Sequence, residues 1–190
     1  MALQSPLFSL QPAHFQAFAN VRKTLHHSWL SFFDLSPAPL GSLLDREENQ
    51  AKATVLPLLP KAETLALISG AAAKYRLSAA FVTSIVAAES NFDATAVSSK
   101  GAIGLMQLMP DTAKLFGANP QVPAENVDAG THYLHYLMMR YQNIPRVIAA
   151  YNAGPGMVDR YRGVPPFRET RTYLTRVLGF LRQFSRARRT

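Results

Sequence analysis

The chain contains no cysteine, which rules out a disulfide framework, a thiolate metal site and a cysteine nucleophile together. It also has no apolar run approaching the ~18 residues of a membrane-spanning helix. The first twenty residues hold no Lys or Arg, and Gln4, Pro6, Gln11 and Pro12 interrupt any apolar stretch that could serve a secretory leader, so no signal peptide is expected. Alternating β-branched runs are scarce, so a large sheet is not expected either. Charged residues make up only 17% of the 190 and apolar residues 48%, a composition that suits a folded domain with a proper core. Acid is in short supply: 12 Asp and Glu face 20 Lys and Arg, for a net charge of +8. Residues 1–60 carry four Lys/Arg and four Asp/Glu, so the whole surplus lies in residues 61–190. It crowds the last part, at Arg160, Arg162, Arg168, Arg171, Arg176, Arg182, Arg186, Arg188 and Arg189. A basic surface attracts acidic polymers such as nucleic acid, anionic lipid or carboxylate-bearing cell wall, and charge alone does not choose among them. The alternative is a solvated helix face with a frayed basic tail.

The chain divides near residue 60. In the first part, Pro12 can open a helix running to about Phe33, where Phe15, Phe18, Leu25, Trp29 and Phe32 recur at helical spacing. That apolar face can dock on the main domain or serve a partner or membrane. Residues 34–60, with Pro37, Pro39, Pro57 and Pro60, read as a linker. From residue 61 the pattern is helical almost throughout, with helices predicted over 63–75, 79–89, 110–116, 126–142, 145–152 and 168–184. Pro110 and Pro145 suit first turns and Gly117 suits a stop. Residues 91–109 read as a loop with at most a short hairpin. The expected class is mainly α, with a helical N-terminal extension.

Glu89 stands out against this background. Ser78 looks like an N-cap, and Phe81, Ile85 and Glu89 then share one face of a short amphipathic helix flanked by Val82 and Val86. A carboxyl at the end of a core-facing stripe, near the negative end of the helix dipole, is held toward its protonated form. That suits a general acid working near neutral pH. The alternative is a helix-terminal glutamate that bends out to water.

The segments that follow fall in a specific order. After Glu89-Ser90 come Gly101-Ala102-Ile103-Gly104-Leu105-Met106-Gln107-Leu108-Met109-Pro110, then Ala150-Tyr151-Asn152-Ala153-Gly154, then Pro165-Pro166-Phe167-Arg168-Glu169-Thr170 with Tyr173 behind it. Each alone is a common loop pattern. Together, in order and spacing over roughly residues 63–180, they resemble the motifs of the soluble lytic transglycosylase family, whose fold is similar to goose-type lysozyme. Ala94 departs from the proline often found there in that family, which bears on loop stiffness more than on chemistry.

The resemblance implies a lysozyme-like helical domain that cuts the β-1,4 bond between N-acetylmuramic acid and N-acetylglucosamine in peptidoglycan, leaving a 1,6-anhydro sugar. It puts the acid–base role on Glu89 and substrate contacts on Ser98, Gly104, Gln107, Met109, Tyr151, Asn152 and Glu169. No metal or cofactor is implied. The expected partners are glycan strands, with a secretion or conjugation apparatus as a further client, and the expected compartment is the cell envelope or periplasm.

The residues themselves leave alternatives beside this. Gly101 and Gly104 can bring backbone close to a sugar or form an ordinary turn. A carboxamide at Gln107, among Leu105, Met106, Leu108 and Met109, must find partners, while both methionines can be simple core filling. Tyr151 can bring its hydroxyl to the Glu89 carboxyl. Asn152 before Gly can be a helix cap, and Glu169 a first-turn acid. Ser90 has no histidine patterned to activate it, so it is expected to hydrogen-bond locally at the helix end. Asp128, His132 and His135 share a helix face, where a surface Asp–His pair is expected rather than a metal site. A hydrolytic muramidase and a non-catalytic wall-binding module remain the competing functions. A nucleic-acid partner is not expected, because the apolar 79–89 segment lacks the interleaved Lys and Arg of a recognition helix.

Overall fold

The computed structural model of the protein describes residues 61–187. The helix expected over 12–33, the linker over 34–60 and the arginines at 188 and 189 lie outside the described residues. Seven helices form within them: α1 (Ala62–Lys74), α2 (Ala79–Ser90), α3 (Pro110–Leu115), α4 (Pro123–Tyr141), α5 (Ile144–Ala153), α6 (Pro155–Arg160) and α7 (Arg168–Ala187). The class is mainly α, as expected. In the 91–109 loop the expected hairpin reduces to two isolated antiparallel bridges, Val97 with Ile103 and Ile103 with Leu108.

Prolines and left-handed residues set the boundaries. Pro110, Pro123 and Pro155 occupy first positions, where the missing N–H costs nothing and the fixed φ is already helical. Pro123 starts α4 three residues before the apolar pattern does. Pro155 opens α6, a helix not among those expected. Gly154, at φ 83°, serves both as the end of α5 and as the start of α6. Asn143 caps α5 by accepting from the Arg146 N–H at 3.1 Å. Ser78 does stand at the N-cap of α2, but its side chain makes no capping bond.

α2 lies at the centre, packed against α1 and α7, while α5 packs on α4, α6 and α7. Every residue from Ala80 to Ala88 is buried. The expected amphipathic helix is therefore corrected: α2 is enclosed on nearly all sides, as a helix apolar all round should be. Its two polar interior residues stay satisfied by bonding back along the helix. Thr83 Oγ1 donates to the Ala79 carbonyl at 2.7 Å and Ser84 Oγ to the Ala80 carbonyl at 2.5 Å. α1 and α4 are joined at their surface by Asp128, which accepts from Lys74 Nζ at 2.7 Å and from the Tyr75 hydroxyl at 3.0 Å. His132 stacks on Tyr75 with ring centroids 4.7 Å apart. Beyond the Asp–His face expected on α4, Asp128 thus forms a helix–helix staple to α1. Among the described residues no group of three His, Cys, Asp or Glu is placed to hold a metal ion.

The loop is anchored on α4 by Asn126, which is fully buried. Its Oδ1 accepts from the Met106 N–H at 2.8 Å, and its Nδ2 donates to the carbonyls of Ile103 and Pro120, each at 2.8 Å. Gly104 lies against this amide. A Cβ there would come within 2.6 Å of Asn126 Nδ2, and φ is +76°. Gly130 on α4 makes the matching space for Met106, whose Sδ would stand 2.5 Å from an added Cβ. Asn126→Ala should leave the buried Met106 N–H and the Pro120 carbonyl without partners, while the Ile103 carbonyl keeps the Leu108 N–H at 3.0 Å, and should lower the unfolding free energy by roughly 2–4 kcal/mol. Urea unfolding of the purified protein checks this, and a loss below about 1 kcal/mol would contradict the anchoring role.

Candidate active site

α2 ends abruptly. Asn91 (φ 51°) caps it in the left-handed region, its N–H reaching the Ala87 carbonyl at 3.2 Å, and Phe92 (φ 66°) follows in the same region. Such a conformation is rare for a bulky residue. Packing holds it: Phe92 is buried with its ring edge-on to Phe184 of α7 at 6.4 Å. Glu89, in the last turn before this reversal, keeps partial exposure, as does Ser90, while Ala80–Ala88 before it are enclosed. From α7, the buried Tyr173 donates its hydroxyl to Glu89 Oε1 at 2.5 Å, a short bond of the kind made to a charged or shared-proton acceptor.

Burial pushes the Glu89 carboxyl up from an ordinary 4.5 to about 7. Burial is the leading cause, as the sequence suggested, but the remaining influences come from α7. The Tyr173 bond and the Arg176 charge pull the value down, and the Glu169 charge pushes it up. A group poised near 7 can give a proton and take it back at neutral pH.

Beside Glu89, the 101–109 loop is held by side chains from three helices. Ser90 Oγ donates to the Leu105 carbonyl at 2.9 Å and to the Val86 carbonyl at 3.3 Å. Buried Tyr151 of α5 donates to the Met106 carbonyl at 2.9 Å, and Asn126 of α4 engages both ends of the same turn. Ser90 therefore bonds locally, as expected, and also reaches across to the loop. Tyr151 requires a correction. Its hydroxyl goes to the Met106 backbone, and Tyr173 takes the place beside Glu89. Both rings are buried close enough to the carboxyl that a Glu89 charge would raise their own pKa values further.

The other candidates are placed as follows. Gln107 sits at φ 47°, and both hydrogens of its amide are spent on the carbonyls of Ala96 and Gly104, each at 3.0 Å. What it can offer a sugar hydroxyl is its Oε1 acceptor. Ser98 Oγ accepts from the N–H groups of Ala102 at 2.9 Å and Lys100 at 3.3 Å. At Gly104 the close approach that the missing side chain permits is to Asn126 inside the protein; Gly101, at φ 82°, faces open space. Met109 precedes α3 and stays partly exposed, whereas Met106 is core. Asn152 lies within α5 rather than capping it, partly exposed. Glu169, exposed in the first turn of α7, lies 3.9 Å from Lys100 Nζ. The sequence reading passed over Tyr173, Arg176 and Asn126 as site residues. For the first two the available signal was the helical spacing of Glu169, Tyr173 and Arg176 on one face of α7.

The family model described as Transglycosylase SLT domain matches residues 66–174. A transglycosylase of Enterobacteria phage PRD1 is 38% identical over 93 residues, covering 48% of this chain and 35% of the relative. A membrane-bound lytic murein transglycosylase C of Haemophilus influenzae is 37% identical over 116 residues, covering 50% of this chain and 32% of the relative. Among solved structures, an inactive glutamate-to-glutamine mutant of the lytic transglycosylase Slt from Pseudomonas aeruginosa aligns with a TM-score of 0.58 at 32% identity. That match covers 64% of this chain and 24% of the other. The chain spans about a third or less of the length of these relatives.

The raised pKa of Glu89 has a consequence for stability. The folded state prefers the protonated acid, so the stabilisation is complete below the unfolded value near 4.5 and is lost as pH rises through about 7. Between those limits the wild type should lose roughly 3 kcal/mol relative to Glu89→Gln, at about 1.36 kcal/mol per unit. Urea unfolding of both proteins across pH 4–8 measures this, and parallel curves would mean an unshifted carboxyl.

Proposed function

Because the chain belongs to the transglycosylase SLT domain family, we propose that it is a peptidoglycan lytic transglycosylase with Glu89 as its single acid–base group. The observation that carries this is the Glu89–Tyr173 pair: a carboxyl desolvated to a pKa of about 7 and held by one short hydrogen bond at the end of a buried helix. A solved relative is described as an inactive glutamate-to-glutamine mutant, which supports a mechanism that depends on one glutamate. The bond cut is the β-1,4 link between N-acetylmuramic acid and N-acetylglucosamine. Glu89 gives its proton to the glycosidic oxygen, the C1–O bond breaks, and the electron pair leaves with the N-acetylglucosamine. The Glu89 carboxylate then takes the proton of the muramic C6 hydroxyl as its oxygen bonds to C1. The acid is regenerated and no water is consumed.

The fate of the other carboxyls favours this internal nucleophile over water. Hydrolytic glycosidases use a second carboxyl to activate water or attack C1. Asp93 accepts from the N–H and hydroxyl of Thr95 at 2.8 and 2.7 Å, bonds that hold its pKa below the usual carboxylate range. Asp111 sits in the exposed first turn of α3, where it serves the helix dipole. Glu169 is exposed and faces Lys100. A C6 hydroxyl held in place has an effective concentration worth ~7–11 kcal/mol of barrier. Among the described residues Glu169 is the carboxyl whose charge acts on Glu89, and it is the residue a muramidase reading would need. Ser98, Gln107, Met109 and Asn152 are the proposed saccharide contacts, with Tyr151 and Gly104 shaping the loop that presents them. The proposed place of action is the cell envelope, where the polymer lies.

Purified sacculi test both parts. Glu89→Gln should lose at least the ~10²–10⁴-fold typical of an acid–base group while keeping its fold by circular dichroism. More than a tenth of wild-type activity would remove Glu89 from the mechanism. Wild-type digests should end in 1,6-anhydromuramic acid, lighter by one water than the hydrolytic product; mainly reducible muramic ends on mass spectrometry would establish the muramidase.

A further inference from the structure

α7 presents Glu169, Tyr173 and Arg176 at successive turns of one face, and the middle residue holds Glu89. The Arg176 guanidinium lies over the Tyr173 ring, 5.7 Å from its centroid, with its side chain exposed. A cation over a phenol ring is attracted by the ring and makes the hydroxyl a stronger donor. We infer that Arg176 is a positioning residue for the acid–base cycle: its guanidinium, acting in part through Tyr173, stabilises the Glu89 carboxylate left once the proton has gone to the leaving oxygen. The inference rests on the acid–base role proposed above.

The surrounding charges fit this division. Around Glu89, α7 supplies Arg176, which favours the carboxylate, and Glu169, which favours the acid; α5 supplies Tyr151, and the loop supplies Lys100, paired with Glu169. Arg176 also lowers the pKa of the Tyr173 hydroxyl, which burial and Glu89 both raise. Burial alone would keep the proton on Glu89 and suit only the first step. Arg176 favours the base needed in the second. Two opposite charges, one on each side of Tyr173 along the helix, thus set the balance between the two halves of the reaction.

The Glu89 carboxyl can be titrated directly by carbon NMR in the full chain labelled at glutamate, its resonance assigned by its loss in Glu89→Gln. Arg176→Met should raise the midpoint by about half a unit at low salt, the size expected of one exposed charge several ångströms away. Arg176→Lys should leave the midpoint near the wild-type value, and in a Tyr173→Phe background Arg176→Met should shift it by less. The alkaline limb of kcat should move up with the midpoint. An unchanged midpoint in Arg176→Met, an equal rise in Arg176→Lys, or an undiminished rise in the Tyr173→Phe background would overturn the inference. The titration needs no substrate, so a digest without anhydro product would sink the proposed reaction while leaving this result to be judged separately.

Discussion

Taking a carboxyl out of water at the end of an enclosed helix costs several kcal/mol unless the group is protonated or hydrogen-bonded. Glu89 meets that constraint in both ways, through a pKa near neutrality and through the Tyr173 hydroxyl. The surrounding architecture follows from the requirement. α2 must be apolar on every side for its last turn to be desolvated, so α1 and α7 cover it. α7 must lie alongside α2 for Tyr173 to reach Glu89. The left-handed pair Asn91 and Phe92 turns the chain away at once, and the carboxyl keeps partial exposure.

The loop that follows is irregular backbone lying close to the core, and its polar groups need partners that a sheet would otherwise provide. Ser90, Asn126 and Tyr151 supply them, each from a different helix. Two residues of the recognisable motifs, Ser90 and Tyr151, therefore act on the backbone of the loop rather than on the carboxyl. Gly104 is required by the same contact, since neither its φ nor the Asn126 amide leaves room for a side chain. The loop is thus held by the protein's own groups, which is the condition under which orientation would contribute to the proposed reaction.

The basic surplus and the acid at Glu169 meet at the same place. α7 carries Arg168, Arg171, Arg176, Arg182 and Arg186 along exposed positions, yet the residue one turn before Tyr173 is a glutamate. A general attraction for an acidic polymer is compatible with local control of one carboxyl because water screens the distant charges and the desolvated site feels the near ones.

Much of the helical framework was legible from the order of residues, because apolar periodicity and proline positions are local signals that need no partner. The reading placed α1, α2, α3, α5 and α7 within a few residues and singled out Glu89 from an apolar stripe ending in acid. It missed the early start of α4 and the whole of α6, where a proline's fixed φ builds a first turn without an apolar pattern to announce it. What the order of residues could not decide was which side chains meet. Tyr151 and Tyr173 are both plausible partners for Glu89 by type, and only packing sends one hydroxyl to Met106 and the other, 84 residues along the chain from Glu89, to its carboxyl. Asn126 looked like an ordinary helix residue until the loop closed over it. Local sequence determined the secondary structure and marked Glu89 as the candidate acid; the tertiary fold decided its partner, its burial and hence its pKa, because each depends on contacts between segments far apart in the chain.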